Sequence, residues 1–265
     1  MFKIGLLGEK LSHSYSKIIH EIIFSHENIN SEYKLYECPK ENVESFQEYM
    51  KKNDIKGVNI TMPYKLFFMD KLDEISEQAK QLGSINLMYF HEDKIYGDNT
   101  DYYGFLQTLI KNNIDVTNKS VSIIGNGGAA KAVKGVLKNL NVKEIHSYFR
   151  KDKKSKIEFI VKGDAPKGDI LINTTPIGMY PDVNSCPIDK KFIKNFNVVI
   201  DLIYNPLETE LLKEAKLNSI KAVNGIEMLI YQAMKTDEIL FNKKFGDELF
   251  ECIKNHLNYR INKGV

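Results

Sequence analysis

A glycine-rich turn near the middle of the chain carries the clearest chemical signal in the sequence. It matches the pattern G-x-G-x-x-[GA], with a strand-like run before it and a helical run after it. The first glycine permits a tight turn, the second lets a pyrophosphate approach the backbone, and the last small residue lets helix and sheet pack closely. A dinucleotide would set its pyrophosphate against the N–H groups at the positive end of that helix; a turn without a ligand is the alternative. The residues of the turn are Gly125, Asn126, Gly127, Gly128, Ala129 and Ala130.

The residues about 20 positions after this turn decide which dinucleotide binds, because an NAD site has an Asp or Glu there to accept from the ribose 2′-hydroxyl. This chain has no carboxylate at that point. Arg150 follows the strand-like run Glu144–Tyr148, and Lys151, Lys153 and Lys154 follow Arg150. A guanidinium binds phosphate through paired donors and stacks on adenine. The sequence therefore predicts NADP, with Arg150 on the 2′-phosphate; a solvated basic loop is the alternative.

Polar side chains also interrupt or follow several strand-like runs in the first hundred residues. Asn59 and Thr61 alternate with apolar neighbours and so share one face of a strand. Asn86 lies inside an apolar run, where its amide needs a buried partner. The segments Ser12–Ser16 and Asp98–Asp101 are polar throughout. Each residue alone fits a turn or a helix cap, but the pair on one strand face indicates a shared ligand.

Two halves of the chain, with different patterns, must position these residues. In the first half, up to Asp101, β-branched and aromatic runs alternate with helical spacing, and the polar segment His91–Lys94 predicts a hairpin loop. The predicted strands are Phe2–Leu7, Tyr33–Tyr36, Gly57–Thr61 and Ser84–Phe90. The predicted helices are Ser16–Ser25, Glu41–Lys52 and Leu66–Gln81.

The second half begins near Tyr102 and alternates strands with helices, which implies a parallel sheet covered on both faces. A linking helix, Tyr103–Lys111, comes first, Ala129–Asn139 follows the glycine turn, and the tail after Gly225 has helical apolar spacing. The predicted strands are Ser120–Ile124, Glu144–Tyr148, Ile170–Asn173, Val198–Leu202 and Lys221–Val223.

The composition excludes several other classes of protein. The 265 residues, 43% of them hydrophobic and 27% charged, suit one large or two modest globular domains, and a net charge of +2 argues against nucleic-acid or membrane partners. Cys38, Cys186 and Cys252 are far apart and odd in number, which predicts reduced thiols and neither a disulfide framework nor a metal site. No apolar run reaches the roughly 18 residues of a membrane helix, and the N-terminus lacks a signal-peptide core. We therefore expect a cytoplasmic protein.

Eight motifs lie along almost the whole chain: SHSYS at 12–16, NITMPYK at 59–65, GSIN at 83–86, DNTD at 98–101, GNGGAA at 125–130, INTTPIGM at 172–179, DLIYNP at 201–206 and NGIEMLIYQA at 224–233. In order and spacing they resemble the shikimate dehydrogenase family, and NxTxPxK together with DNTD is highly specific. The resemblance implies an α/β fold with an N-terminal substrate domain, 1–101, completed by C-terminal helices in 225–265. A Rossmann-type doubly wound NADP domain, 102–224, would face it across a cleft. It also implies reversible reduction of 3-dehydroshikimate by NADPH, a step of aromatic amino-acid biosynthesis.

The resemblance also assigns roles to single residues. Ser14 and Ser16 would bind the carboxylate of shikimate, and Tyr204 would approach the same end. The ring hydroxyls would be held by Asn59, Thr61, Lys65, Asn86, Asp101 and Gln232. On the cofactor side, the glycine turn and Arg150 would be joined by Asn173, Thr174, Gly225 and Met228.

The chemistry of Lys65 and Asp101 suits this reaction. Oxidising a secondary alcohol needs a group that takes the hydroxyl proton as hydride leaves the carbon. Lys65 can take that proton directly or through water, and Asp101 can hold its amine in place. A surface ion pair is the alternative, and the sequence leaves the immediate proton acceptor open.

Two rival functions make different predictions. A quinate/shikimate dehydrogenase that uses NAD would carry an acidic residue at the end of the second strand of the nucleotide domain, and no carboxylate ends the run Glu144–Tyr148. An NADP-binding regulatory protein without turnover would have lost Lys65 or Asp101, and both are present. A monomer and a homodimer both remain open.

Overall fold

The computed structural model describes residues 1–11, 14–149 and 166–263, and these divide into two compact units. The first unit comprises Met1–Gly104 and Ile230–Ile253, and the second comprises Phe105–Leu229 and Lys254–Val265. Arg150 and the lysines that follow it lie outside the described residues, so their assignment to the 2′-phosphate stays a prediction.

A mixed β-sheet forms the centre of the first unit. Its described strands are β1 (Phe2–Gly8), β2 (Ser31–Glu37), β3 (Ile55–Ile60), β4 (Glu74–Ile75), β5 (Leu87–His91) and β6 (Lys94–Asp98). They lie in the order β2-β1-β3-β5-β6-β4, with β1 parallel to β2 and β3, and β5 antiparallel to β3 and β6. The C-terminal ends of β1, β3 and β6 therefore meet the N-terminal end of β5 at one edge of the sheet. The predicted hairpin loop between β5 and β6 is confirmed.

A parallel sheet forms the centre of the second unit, as the sequence predicts. Its described strands are β7 (Ser120–Ile124), β8 (Glu144–Tyr148), β9 (Ile170–Asn173), β10 (Val198–Asp201) and β11 (Lys221–Val223). They lie in the order β11-β10-β9-β7-β8, and all their pairings are parallel. The strand order reverses between β7 and β9, which is the point where open α/β sheets bind their ligands.

The helices present apolar faces to these sheets. In the first helix, Ile19, His20, Ile23 and Phe24 are buried at the spacing of one helical face, so His20 occupies a core position. The described helices are α1 (Ser16–Glu27), α2 (Phe46–Lys52), α3 (Glu77–Leu82), α4 (Thr100–Lys111), α5 (Gly128–Asn139), α6 (Glu210–Leu217), α7 (Ile226–Phe241) and α8 (Asp247–Lys263). None of these helices is long and apolar enough to cross a membrane.

The predicted long helix Leu66–Gln81 is wrong. Asp73 exchanges hydrogen bonds with Ile95, accepting from its N–H at 2.8 Å and donating to its carbonyl at 3.1 Å, which draws the chain into the short strand β4 beside β6. Ser76 then caps α3 by accepting from the Ala79 N–H at 3.2 Å. Apolar spacing alone could not show these tertiary bonds.

Several other predicted elements have bounds that differ by one to three residues, and two of them show a physical reason. The predicted helix Glu41–Lys52 begins as a 3₁₀ helix, Lys40–Ser45, and becomes α-helical at Phe46. The predicted strand Ser84–Phe90 begins only at Leu87, because the segment before it bends to bring its polar groups to the end of the sheet.

Candidate active site

Polar residues from distant parts of the first unit converge at the edge of the sheet where β1, β3 and β6 end and β5 begins. The N–H of Ile60, the last residue of β3, donates to the Asn86 carbonyl at 2.8 Å. The Asn86 N–H donates to the carbonyl of Asp98, the last residue of β6, at 2.9 Å. The Thr61 N–H donates to the Leu7 carbonyl of β1 at 2.9 Å. The NxTxPxK, GSIN and DNTD motifs are therefore neighbours in space.

Lys65 and Asp101 form an ion pair at this edge. Lys65 lies in a 3₁₀ helix, Tyr64–Leu66, that follows β3, and Asp101 lies in the first turn of α4. The Lys65 ammonium donates to Oδ2 of Asp101. The side chains are 17% and 9% exposed, respectively, so the pair is largely shielded but keeps a small exposed part. This burial argues against a plain surface ion pair, whose energy is small.

Asn86 orients the carboxylate of this pair. The Asn86 amide nitrogen donates to Oδ1 of Asp101 at 3.0 Å and to Oγ1 of Thr100 at 3.0 Å, while its oxygen accepts from the Thr100 N–H at 2.6 Å. Asn86 is 2% exposed. The buried partners that its sequence context predicts are thus Thr100 and Asp101, and the same amide caps the start of α4.

The Asn59 side chain is buried and hydrogen-bonded to other residues of the protein, and Thr61, just after β3, is half-buried. The Asn59 oxygen accepts from the Tyr33 hydroxyl at 3.0 Å, and its nitrogen donates to Oγ1 of Thr236 at 2.8 Å and to the Asn86 carbonyl at 3.4 Å. Asn59 therefore supports its neighbours through internal bonds. Its role as a direct substrate ligand stays a prediction.

Ser14 and Ser16 lie at the start of α1. The Ser16 N–H donates to Oγ of Ser14 at 3.2 Å, and the first turn of the helix contains no acidic side chain. Both serines are half-buried. A helix N-terminus with adjacent hydroxyl groups suits a carboxylate.

In the second unit, the glycine turn follows β7 and opens α5, as predicted. Gly125 has φ +112°, and a Cβ there would lie 2.3 Å from Oγ1 of Thr174. Gly127 has an extended backbone, and apart from its chain neighbours and its own helix, none of the residues that the structure describes places a heavy atom within 4 Å of a Cβ there. The backbone and the protein neighbours thus require glycine at Gly125, whereas at Gly127 the missing side chain leaves open space. Ala130 is fully buried against the sheet.

The start of α5 fits a bound pyrophosphate. Gly127, the N-cap residue, supplies no side-chain cap, and the first turn contains no acidic residue. Its N–H groups therefore need an outside acceptor. Asn126 and Gly127 are exposed and Gly128 and Ala129 are half-buried, so the turn is accessible.

Thr174 joins this turn to the neighbouring strand. Its N–H and hydroxyl both donate to the Ile124 carbonyl, at 2.9 and 2.7 Å, which places the segment after β9 beside the segment after β7. The side chain of Asn173, just before it, is fully buried. The Asn173 oxygen accepts from the Thr175 hydroxyl at 2.7 Å, and its nitrogen donates to Oδ1 of Asp201 at 2.9 Å. Asn173 therefore holds the loop in shape from inside.

Asp201 anchors two loops at the ends of β9 and β10. Besides Asn173, it accepts from the Thr209 hydroxyl at 2.7 Å and from the Ile203 N–H at 3.2 Å. Burial raises the pKa of Asp201 to about 6, although these hydrogen bonds act in the opposite direction.

The remaining predicted site residues lie in the two units as follows. In the second unit, Gly225 is buried, and a Cβ there would lie 2.0 Å from the Leu202 carbonyl oxygen, so close packing requires glycine. Met228 is buried and Tyr204 half-buried in the same unit. Gln232 is half-buried in the first unit.

Several residues of the site escaped the sequence analysis. Thr100 and Asp201 stand inside the DNTD and DLIYNP motifs, which could have drawn attention to them. Thr236 follows Gln232 by one helical turn, a spacing that places both on one helix face. Tyr33, whose partner is Asn59, carries no local signal, because its function depends on a contact between strands.

The topology and glycine turn of the second unit define a dinucleotide-binding α/β protein. The first unit adds a partly shielded lysine–carboxylate pair suited to proton transfer, so the class is that of nucleotide-dependent oxidoreductases. Residues 6–88 match the family described as the shikimate dehydrogenase substrate binding domain. The chain is 48% identical over 243 residues to the NADP(+) shikimate dehydrogenase of Clostridium beijerinckii, covering 89% of this chain and 90% of that protein. This chain belongs to the shikimate dehydrogenase family.

Solved structures agree with that assignment. A shikimate dehydrogenase from Peptoclostridium difficile, 38% identical, superposes with a TM-score of 0.89 over 98% of this chain and 99% of that one. A shikimate dehydrogenase solved in complex with NADP+ is 32% identical and has a TM-score of 0.82, with 98% of this chain and 96% of that chain covered. The fold prediction, an α/β protein with a Rossmann-type unit, is confirmed.

Proposed function

We propose that this chain catalyses the reversible, NADPH-dependent reduction of 3-dehydroshikimate to shikimate. The observation that carries the proposal is the Lys65–Asp101 ion pair, oriented by Asn86 at the sheet edge where the polar motifs converge. Family membership supports the reaction, and the pair supplies the proton chemistry that it requires.

The first unit is proposed to bind the substrate. Ser14, Ser16 and the start of α1 would hold the carboxylate. The hydroxyl groups would meet Thr61, Lys65, Asn86, Asp101 and Gln232, with Asn59 acting through its bonds to neighbouring groups. Tyr204 would approach the carboxylate end of the substrate, as the family resemblance implies.

Lys65 is proposed to move the proton. In reduction, its ammonium gives a proton to the carbonyl oxygen of 3-dehydroshikimate as hydride adds to the carbonyl carbon, and the C=O bond becomes a C–OH bond. The neutral amine that remains stays beside Asp101 and regains its proton from water. Oxidation of shikimate follows the same path in reverse, with the hydroxyl proton passing to the Lys65 amine.

The second unit is proposed to bind NADP, which supplies or accepts the hydride when bound. The open space at Gly127 and the uncapped start of α5 would accommodate the pyrophosphate. Thr174, Gly225 and Met228 would line the cofactor site, with Asn173 supporting them from behind. Arg150 would select the 2′-phosphate. A cytoplasmic location is part of the proposal, since Cys38, Cys186 and Cys252 are free thiols.

Steady-state kinetics with shikimate and quinate, each with NADP and with NAD, test the proposal. We expect turnover of shikimate with NADP and much lower kcat/KM for the other three combinations. Absence of turnover with shikimate and NADP contradicts the proposal. Comparable turnover of quinate with NAD would instead favour a quinate/shikimate dehydrogenase of relaxed specificity.

A further inference from the structure

Thr236 lies where two hydrogen-bond systems of the first unit meet. It stands in α7, one turn after Gln232, and is 1% exposed. Its Oγ1 accepts from the Asn59 amide nitrogen at 2.8 Å, donates to the Gln232 carbonyl at 3.0 Å and lies 3.3 Å from Oγ1 of Thr100. This one hydroxyl therefore links β3 to the first turn of α4.

On one side, the bonds from Thr236 lead to the catalytic pair. Oγ1 of Thr100 accepts from the Asn86 amide at 3.0 Å, and the same amide nitrogen donates to Oδ1 of Asp101 at 3.0 Å. Asp101 in turn binds the Lys65 ammonium. A path of three buried side chains, those of Thr100, Asn86 and Asp101, therefore connects the Thr236 hydroxyl to Lys65.

On the other side, a closed ring of contacts holds Thr236 in place. The Asn59 oxygen accepts from the Tyr33 hydroxyl at 3.0 Å, and the Tyr33 ring stacks on His20 with centroids 4.1 Å apart and planes 9° apart. Nδ1 of His20 bonds both oxygens of Asp237, at 2.8 and 2.9 Å. Because Asp237 follows Thr236 in α7, the ring returns to its starting point.

The His20–Asp237 pair is costly to bury. Both side chains are fully buried, and Nε2 of His20 has no hydrogen-bond partner among the described residues. Burial raises the pKa of Asp237, against the lowering effect of His20. A buried pair of this kind is often no more stabilising than apolar side chains of the same size. Its place beside Thr236 therefore points to positioning rather than to stability.

We propose that Thr236 is a positioning residue for the Lys65–Asp101 pair, and that the His20–Asp237 pair keeps the Thr236 hydroxyl in place. Proton transfer depends on the placement of the lysine within a fraction of an ångström. The inference rests on the proposed function, because it concerns the same reaction.

Thr236→Val tests this directly, since valine keeps the shape of threonine and removes the hydroxyl. We expect kcat for shikimate oxidation to fall about tenfold or more, while the KM values for shikimate and NADP change less than about twofold. Thr236→Ser restores the hydroxyl and should return kcat close to that of the unchanged enzyme. A loss of folding stability alone would produce neither the split between kcat and KM nor the rescue by serine.

Thr108→Val provides a matched control, because Thr108 is another fully buried helical threonine, in α4, with no assigned part in the network. It should keep the kcat of the unchanged enzyme. A Thr236→Val enzyme with unchanged kcat, or a Thr236→Ser enzyme as slow as the valine variant, overturns the inference alone. Absence of turnover in the unchanged enzyme overturns the proposed function and this inference with it.

A second variant covers the case in which the valine variant does not fold. Asp237→Asn keeps one oxygen for Nδ1 of His20 and removes the carboxylate charge. A lower kcat at unchanged KM supports the inference, and an unchanged kcat overturns it.

Discussion

The side chains of Lys65 and Asp101 pair through one oxygen of the carboxylate, Oδ2, while the other oxygen, Oδ1, accepts from Asn86 at 3.0 Å. This division of the two oxygens matters for catalysis. Asn86 keeps the carboxylate in one orientation, so the ammonium can turn toward a substrate oxygen without loss of the carboxylate's position. The carboxylate of the pair is thus fixed by Asn86, while the ammonium can still turn toward a substrate.

Replacing Lys65 by alanine should reduce kcat far more than substrate affinity. Without the amine, the proposed proton donor and acceptor is lost, so we expect kcat to fall about 100-fold or more, with KM for shikimate changed less than about threefold. Steady-state oxidation of shikimate measures both. Lys80→Ala is the control, because Lys80 pairs with Glu77 on the exposed face of α3. Near-normal turnover in Lys65→Ala refutes the role of Lys65.

Replacing Gly127 by alanine should weaken the binding of NADP, whereas replacing Gly125 by alanine should lower the stability of the fold. At Gly127, Cβ would enter space that the pyrophosphate is proposed to use. The stability should change by less than about 1 kcal/mol, while KM for NADP should rise about tenfold, equivalent to about 1.4 kcal/mol. At Gly125, the positive φ and the contact with Thr174 should lower the free energy of unfolding by about 1–3 kcal/mol.

Urea unfolding and NADP titration distinguish the two glycine variants. If Gly127→Ala binds NADP as tightly as the unchanged protein, the pyrophosphate does not approach that residue.

Arg150→Ala should weaken the binding of NADP and leave the binding of NAD nearly unchanged. A guanidinium–phosphate contact is charge-assisted and lost with the side chain, so KM for NADP should rise about tenfold or more, and KM for NAD should stay within about twofold. Lys216→Ala, which removes an exposed lysine paired with Glu208, is the control. Equal losses for both nucleotides reject the assignment of Arg150 to the 2′-phosphate.

Asp201 should make the stability depend on pH between about 4 and 6. Its pKa is raised by burial to about 6, above its usual value of 3.8. The folded protein therefore binds this proton more tightly than the unfolded chain does. As pH rises from about 4 through about 6, the contribution of Asp201 to stability falls by up to about 3 kcal/mol in total. It is constant above about pH 7.

The difference between Asp201→Asn and the unchanged protein isolates this effect. Urea unfolding at pH 4, 5, 6, 7 and 8 should show asparagine becoming relatively more favourable up to about pH 7 and no further change above it. A difference that is constant over the whole range contradicts the raised pKa.

Local patterns predicted some of these elements well. The strands β7, β8, β9 and β11 begin and end at the predicted residues, because short β-branched runs bounded by turn residues have few alternatives. The glycine turn was equally clear, since its spacing reflects the geometry of a single strand–helix connection. The predicted helix Leu66–Gln81 was wrong, because the bond between Asp73 and Ile95 joins residues far apart in the chain.

The candidate site could also be predicted only in part. Its motifs identified Lys65, Asp101 and Asn86. The buried Asn86 amide required hydrogen-bond partners, but the sequence could not show which residues these are.

By itself, the sequence determined the class of this protein: the residue types that can move a proton, the turn that can hold a pyrophosphate, and the alternation that makes an α/β fold. The tertiary structure decided which oxygen of Asp101 faces Lys65, why glycine is needed at Gly125 but leaves open space at Gly127, and how Thr236 joins Asn59 to Thr100. The physical reason is the separation in sequence of the residues that interact. Turns and periodicities depend on neighbours in the chain, whereas hydrogen bonds between buried side chains depend on which strands and helices the fold brings together.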